Sequence, residues 1–322
     1  MTKRTSFKFR WVALVATLIF GIGGWRLLAH ADSSSDEPIV TLGSSLTSSQ
    51  KTGTINTLTA SLNGADYQTL TVNGDTLVKY LNPAGESFTS SSGVWSSAMI
   101  QKTSSGSGIN VKILDYNGSN NITTITANQY KNAALTAGIT DANIYVTSAT
   151  PIDGSGALAG VYAAYAKSGN SLNTKQVTAA QDELSTLSGI TQANKNKDGY
   201  TDSQLNNAIA GAKKEMAQKG SSVTKNEITT IVNQQITNNN LTNVITNNQK
   251  TEIINLLVKI RDSGALDSSS FKTQANSLMK NIQSNAKNVF SKLNTKENQN
   301  LLQKIWTAIV NFFSSIFKSI FG

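Results

Sequence analysis

Apolar positions change their period about halfway along this chain. Ile39-Val40-Thr41-Leu42 reads as a short strand, after which Ile55, Leu58 and Leu62 recur at helical spacing over 47–62, with Thr47 as the cap. Alternation returns from Tyr67 to Val72. Asn73-Gly74-Asp75 then turns the chain into a short helix over 76–81, ended by Pro83. Val94 to Lys102 and Ile109 to Tyr116 are strand-like runs, and the Ser/Gly-rich stretch 103–108 between them has the composition of a hairpin loop. A helix over 126–137 stops at Gly138, Ile144-Tyr145-Val146 is a further strand, and Gly154-Ser155-Gly156 leads into a helix rich in small residues through Tyr165.

Beyond Lys167 the strand signals cease. The segments 174–187, 202–218, 224–236, 246–261 and 267–293 all carry Leu, Ile, Val or Met at three- and four-residue intervals. Thr224 with Glu227, and Thr246 with Gln249, have the spacing of capping boxes. The pattern predicts an α/β N-terminal domain over 39–168, a layered mixed sheet with helices, followed by an all-α C-terminal domain over 169–297.

The two ends read differently from the middle. Met1 to Arg10 carries four cations, an uncharged apolar run follows to Gly24, and Ala29 and Ala31 stand where a signal peptidase reads small residues. Residues 1–31 are therefore expected to be a signal peptide, with 32–38 a polar leader. Losing Lys3, Arg4, Lys8, Arg10 and Arg26 would lower the formal charge from +9 to +4. Charge is also uneven, with a net of −3 over 32–168 and +7 over 169–322. His30, the sole histidine, would leave with the same segment, and the chain has no cysteine. Thiol and imidazole nucleophile pairs and ordinary zinc sites are thereby excluded, as is a lipoprotein anchor. A large exported chain without disulfides points to a bacterial product stabilised by its core.

At the other end, residues 298–322 predict an amphipathic aromatic helix. On a helical projection Ile305, Trp306, Ile309, Phe312, Phe313, Ile316, Phe317 and Ile320 fall on one side, while Lys304 and Lys318 lie opposite. So wide an apolar stripe requires cover, from the chain's own helical domain, from a membrane or from a protein partner. Polar residues at mid-length, Asn311, Ser314 and Ser315, favour an interfacial position over a spanning one. Lys272, Lys280, Lys287, Lys292 and Lys296 precede it against a single acid, Glu297, a distribution suited to an anionic membrane surface or wall polymer. Nucleic acid is not expected, since the net charge is modest and no reading motif is visible.

The run Val40-Thr41-Leu42-Gly43 with Leu46 and Gln50-Lys51 resembles the opening of the YpuA-like secreted bacterial family, catalogued as domain of unknown function 1002 (DUF1002). Ser97-Ala98, Gly108-Ile109-Asn110-Val111, the stretch from Tyr130 to Ile139, and Ala149 and Pro151 through Gly154–Gly160 to Tyr162 and Tyr165 extend the similarity. The resemblance covers about residues 38–170 closely and continues more loosely to about 262. It implies an exported, envelope-associated protein and supplies no reaction. The Ser/Thr/Asn-rich composition and the aromatic end depart from the family.

Candidate chemistry is sparse. The turn Gly154, Ser155, Gly156 between a strand and a helix could hold an anion on its exposed amides, or could simply allow close packing. Residues 194–205 imitate a calcium loop, but Leu205 stands where a bidentate Glu is needed, so a solvated turn is expected. Glu86, Asp115, Asp141 and Asp153 are carboxylates available for glycoside hydrolysis. Asp182 and Glu183, adjacent on a helix, must point in different directions. No catalytic residue, metal ligand or cofactor is assigned. The expectation is a non-catalytic binding or structural protein of the cell envelope, the alternative a carboxylate-based hydrolase acting on glycan.

Overall fold

The computed structural model describes residues 37–293. The expected signal peptide, with Ala29 and Ala31, and the amphipathic segment 298–322 lie outside the described residues. Five strands, β1 (Ile39–Gly43), β2 (Gln68–Val72), β3 (Ser96–Lys102), β4 (Ile109–Ile113) and β5 (Ala142–Ser148), form one mixed sheet in the order β2-β1-β3-β5-β4. β1 runs parallel to β2 and antiparallel to β3, while β5 is antiparallel to β3 and parallel to β4.

The sheet corrects one expectation. β3 and β4 are not a hairpin, because β5 lies between them. β5 is buried along nearly its whole length, whereas β4 exposes Asn110 and Lys112, so β5 belongs in the interior of the sheet and β4 at its edge. The loop 103–108 spans two strand spacings, about 10 Å, well within the reach of six residues. Asp141 stitches it down. Its carbonyl accepts from Thr103 N–H at 2.7 Å, and its Oδ1 accepts from Gly108 N–H at 2.9 Å.

Helices cover both faces. On one face α1 (Ser48–Thr59) closes a small core of Val40, Leu42, Leu58, Leu62 and Met99. Its start is the expected cap: Thr47 Oγ1 accepts from Gln50 N–H at 3.3 Å, and Gln50 Oε1 accepts from Thr47 N–H at 3.0 Å. The other face carries α3 (Ala127–Thr136) and α4 (Ser155–Lys167), with α2 (Gly74–Leu81) packed on α4. Close approach of α4 depends on its glycines, since a Cβ at Gly160 would stand 2.5 Å from Thr41 Oγ1.

Behind α3 and α4 lie α5 (Thr174–Asn194), α6 (Asp202–Lys219), α7 (Lys225–Asn238), α8 (Asn247–Asp262), α9 (Phe271–Asn285) and α10 (Lys287–Leu293). The capping boxes expected at Thr224 and Thr246 are both formed. In place of the single helix expected over 267–293 there are two. Ser268, Ser269 and Ser270 delay its start, with the Ser268 and Ser270 hydroxyls 2.9 Å apart, and the chain bends at Ala286. The main core runs without a break from sheet residues such as Ile100 and Val146 to Leu187, Ile209 and Leu278 of the helices. The boundary expected near 168 therefore falls in the link between α4 and α5, with apolar packing on either side of it.

Candidate functional site

α3 is enclosed by β4, α5, α6 and α9, and all of its residues from Gln129 to Thr136 are buried. A helix with no solvent face must place its polar side chains internally, and here Gln129, Lys131 and Asn132 reach neighbouring helices while the Tyr130 hydroxyl donates to Gly154 O in the turn before α4. Gln129 Nε2 donates to Thr191 Oγ1 at 2.9 Å, Asn132 Nδ2 to Asn206 Oδ1 at 3.0 Å, and Lys131 Nζ to Asn281 Oδ1 at 2.7 Å. Below them Thr126 Oγ1, Asn128 Nδ2 and Asn206 Nδ2 all donate to the carboxylate of Asp202 at 2.8–2.9 Å. Burial raises the Asp202 carboxyl above its ordinary range despite these donors.

At the centre of this seam is a sealed ion pair. Lys213 Nζ lies 2.6 Å from Glu183 Oε1, with both side chains at 0% exposure. Lys213 also donates to Asn132 O at 2.8 Å, and Thr136 Oγ1 donates to Glu183 Oε2 at 2.6 Å. Burial lowers the Lys213 ammonium from its usual range and Glu183 opposes that shift. Tyr162, fully buried nearby, is pushed well above the normal phenol range by burial and then by the Glu183 charge. Both side chains are sealed from solvent, and with the contacts to Asn132 and Thr136 the pair ties α3, α5 and α6 together. Sequence reasoning missed this pair. The one signal available was that Asp182 and Glu183 diverge: Asp182 pairs at the surface with Lys259 at 2.7 Å, and Glu183 turns inward.

The turn Gly154, Ser155, Gly156 is where it was expected, at the start of α4. Asp153 Oδ1 accepts from the amides of Gly154 and Ser155 at 2.7 and 3.3 Å, so a neighbouring side chain stands where an anion would bind. A Cβ at Gly156 would lie 2.9 Å from Ser96 Oγ, which accounts for the small residue by packing. In the calcium-like loop Asn194 ends α5 and points inward, donating to Ile190 O at 2.7 Å, while residues 195–199 are exposed. Among the described residues no cluster of three or more acidic, His or Cys side chains is placed to hold a metal.

The four candidate carboxylates are scattered. Glu86 meets Ser185, Asp115 is exposed, and Asp153 serves its own turn. Asp141 alone lines a cleft, a cavity of about 260 Å³ at one end of the sheet that includes Glu37, Lys102 and Tyr165. Burial raises the Asp141 carboxyl, but hydrogen bonds from Gln274 and the amides of loop 106–108 outweigh it and hold the group below its usual range. Its Oδ1 accepts from both Gly108 N–H and Gln274 Nε2.

α9 is two-faced. Phe271, Ala275, Leu278 and Ile282 face inward at helical spacing, and Gln274 and Asn281 bind the sheet through Asp141 and Asn110. Lys272, Lys280 and Lys287 are exposed, and the sequence from Ser268 to Leu293 contains no acid. No helix among the described residues is long and apolar enough to cross a membrane.

The family whose sequence model matches residues 42–278 is described as "Protein of unknown function (DUF1002)". The chain is also 30% identical over 314 residues to "Uncharacterized protein YpuA" of Bacillus subtilis (strain 168), an alignment covering 94% of this chain and 98% of that protein. No solved structure matches.

Proposed function

The chain belongs to the DUF1002 family of proteins of unknown function, and on that premise we propose that it is an exported, non-catalytic binding protein of the bacterial cell envelope that adheres to an anionic surface through its C-terminal end. The observation that carries this reading is the acid-free lysine face of α9 and α10, with Lys272, Lys280 and Lys287 exposed. Each lysine held near an anionic lipid surface contributes about 1 kcal/mol of attraction. Lys304 and Lys318 would extend that field, and Ile305, Trp306, Ile309, Phe312, Phe313, Ile316, Phe317 and Ile320 would enter the interface. Export rests on the basic, apolar and small-residue succession ending at Ala29 and Ala31.

Glycan hydrolysis by carboxylates draws on the cleft shared by Glu37 and Asp141. It is the weaker reading, because Asp141 already accepts from Gln274 and the neighbouring loop.

Sedimentation with anionic vesicles tests the proposal. The protein from Asp32 onward should pellet with them, and less so with zwitterionic vesicles. Truncation before Asn298 should sharply reduce pelleting, the lysines of α9 and α10 remaining, while leaving the far-UV spectrum of the folded part intact. Replacing Lys272, Lys280 and Lys287 by Gln should weaken it about tenfold or more at low salt. Undiminished pelleting of the truncated protein would refute the proposal.

A further inference from the structure

The two edges of the sheet are protected differently. β4 carries Lys112 and Asn110 on its exposed positions, and Asn281 of α9 donates to Asn110 at 3.0 Å. β2 is Gln68-Thr69-Leu70-Thr71-Val72, uncharged and free of proline, and no strand lies on its outer side among the described residues. Open edges of that composition are templates for another strand.

The phase of the β1–β2 ladder shows which groups are open. Gln68 N–H donates to Pro38 O at 2.9 Å and Ser44 N–H donates to Val72 O at 2.8 Å. With the register Thr41↔Leu70 between them, Gln68, Leu70 and Val72 direct their backbone groups to β1. Thr69 and Thr71 therefore direct theirs outward. Thr69 O accepts from the exposed Lys167 Nζ at 3.2 Å.

We infer that β2 pairs antiparallel with β2 of a second copy of this chain, about a two-fold axis at Leu70, joining two sheets into one of ten strands. The choice of partner follows from self-complementarity. About that axis Thr69 of one copy faces Thr71 of the other, and the two exchange N–H and C=O, four hydrogen bonds in all. Leu70 meets its own counterpart in a non-hydrogen-bonded pair. Leu70 is half-buried against the main core, and that meeting completes its cover. Thr–Thr and Leu–Leu are favourable cross-strand pairs, and no like charges are brought together within the strands. Among the described residues, the hydrogen bond from Lys167 to Thr69 O is the one that must yield on each copy.

The absence of cysteine makes the test direct. Leu70→Cys places one thiol per chain at the axis, where paired Cα atoms about 4.5–5.5 Å apart accept a disulfide. Mild oxidation of the full chain should convert most of it to a cross-linked dimer on a non-reducing gel. Adding Thr69→Pro removes an outward donor without touching the β1 ladder, and should cut that yield about tenfold or more. In the cysteine-free chain Thr69→Pro should raise the dimer dissociation constant in sedimentation equilibrium by a similar factor, and Lys167→Gln should lower it. A monomeric wild-type chain at high micromolar concentration, or a cross-link indifferent to Thr69→Pro, would overturn the inference.

Discussion

The two faces of the sheet solve the same problem by different means. Beneath α1 the core is Val40, Leu42, Leu58, Leu62 and Met99, and the helix keeps a solvent side for most of its polar residues, Thr54 being the buried exception. Beneath α3 there is no solvent side, because α5, α6 and α9 form a further layer. Polar residues that would be inert on α1 become determinants of register on α3. A helix two layers deep is specified by its hydrogen-bond partners as well as by its apolar stripe.

Breaking the ion pair on one side should have the largest effect. Lys213→Met leaves Glu183 charged and buried, and should cost about 3–5 kcal/mol in urea unfolding. Combining it with Glu183→Leu should recover most of that loss, since Thr136 can turn its hydroxyl to a helix carbonyl. If the double variant is no more stable than the single one, the pair is not a closed unit.

On the other face, Leu58→Ala should cost about 3 kcal/mol through the cavity it leaves. In hydrogen exchange that loss should appear first in α1, with α3 amides unaffected. Uniform loss would mean that the faces are not separable.

The smallest effect belongs at the start of α7. The amide of Thr224, and after it the ammonium of Lys219, hold the Glu227 carboxyl below its ordinary value. Its contribution is therefore present above the unfolded carboxylate range and disappears as pH falls through the lowered value. Glu227→Gln should be less stable at neutral pH by under about 1 kcal/mol, discounted for partial exposure, and the gap should close in acid. A gap that persists in acid would assign the effect to packing.

Local rules account for what the sequence revealed. Thr47, Thr224 and Thr246 announce their helices because a cap and its reciprocal side chain are three residues apart. The strands β1, β2 and β5 follow from alternation or short apolar runs. What stayed hidden is non-local. Ser and Gly between β3 and β4 describe a loop correctly without saying what passes between the strands it joins. Lys213 has the composition of a surface residue, and nothing near it in the chain indicates that Glu183, thirty residues earlier, will meet it in the interior. The lysines of this region are legible as a charge imbalance, and the structure adds that Lys272, Lys280 and Lys287 are exposed.

The placement of β5 governs the order in which the sheet can be made. β3 and β4 are separated by six residues and are close enough along the chain to meet early, yet their direct pairing excludes the strand that belongs between them. Completion of the sheet therefore waits on a sequence-distant segment, and a direct β3–β4 pairing would have to open before residues 142–148 could take their place.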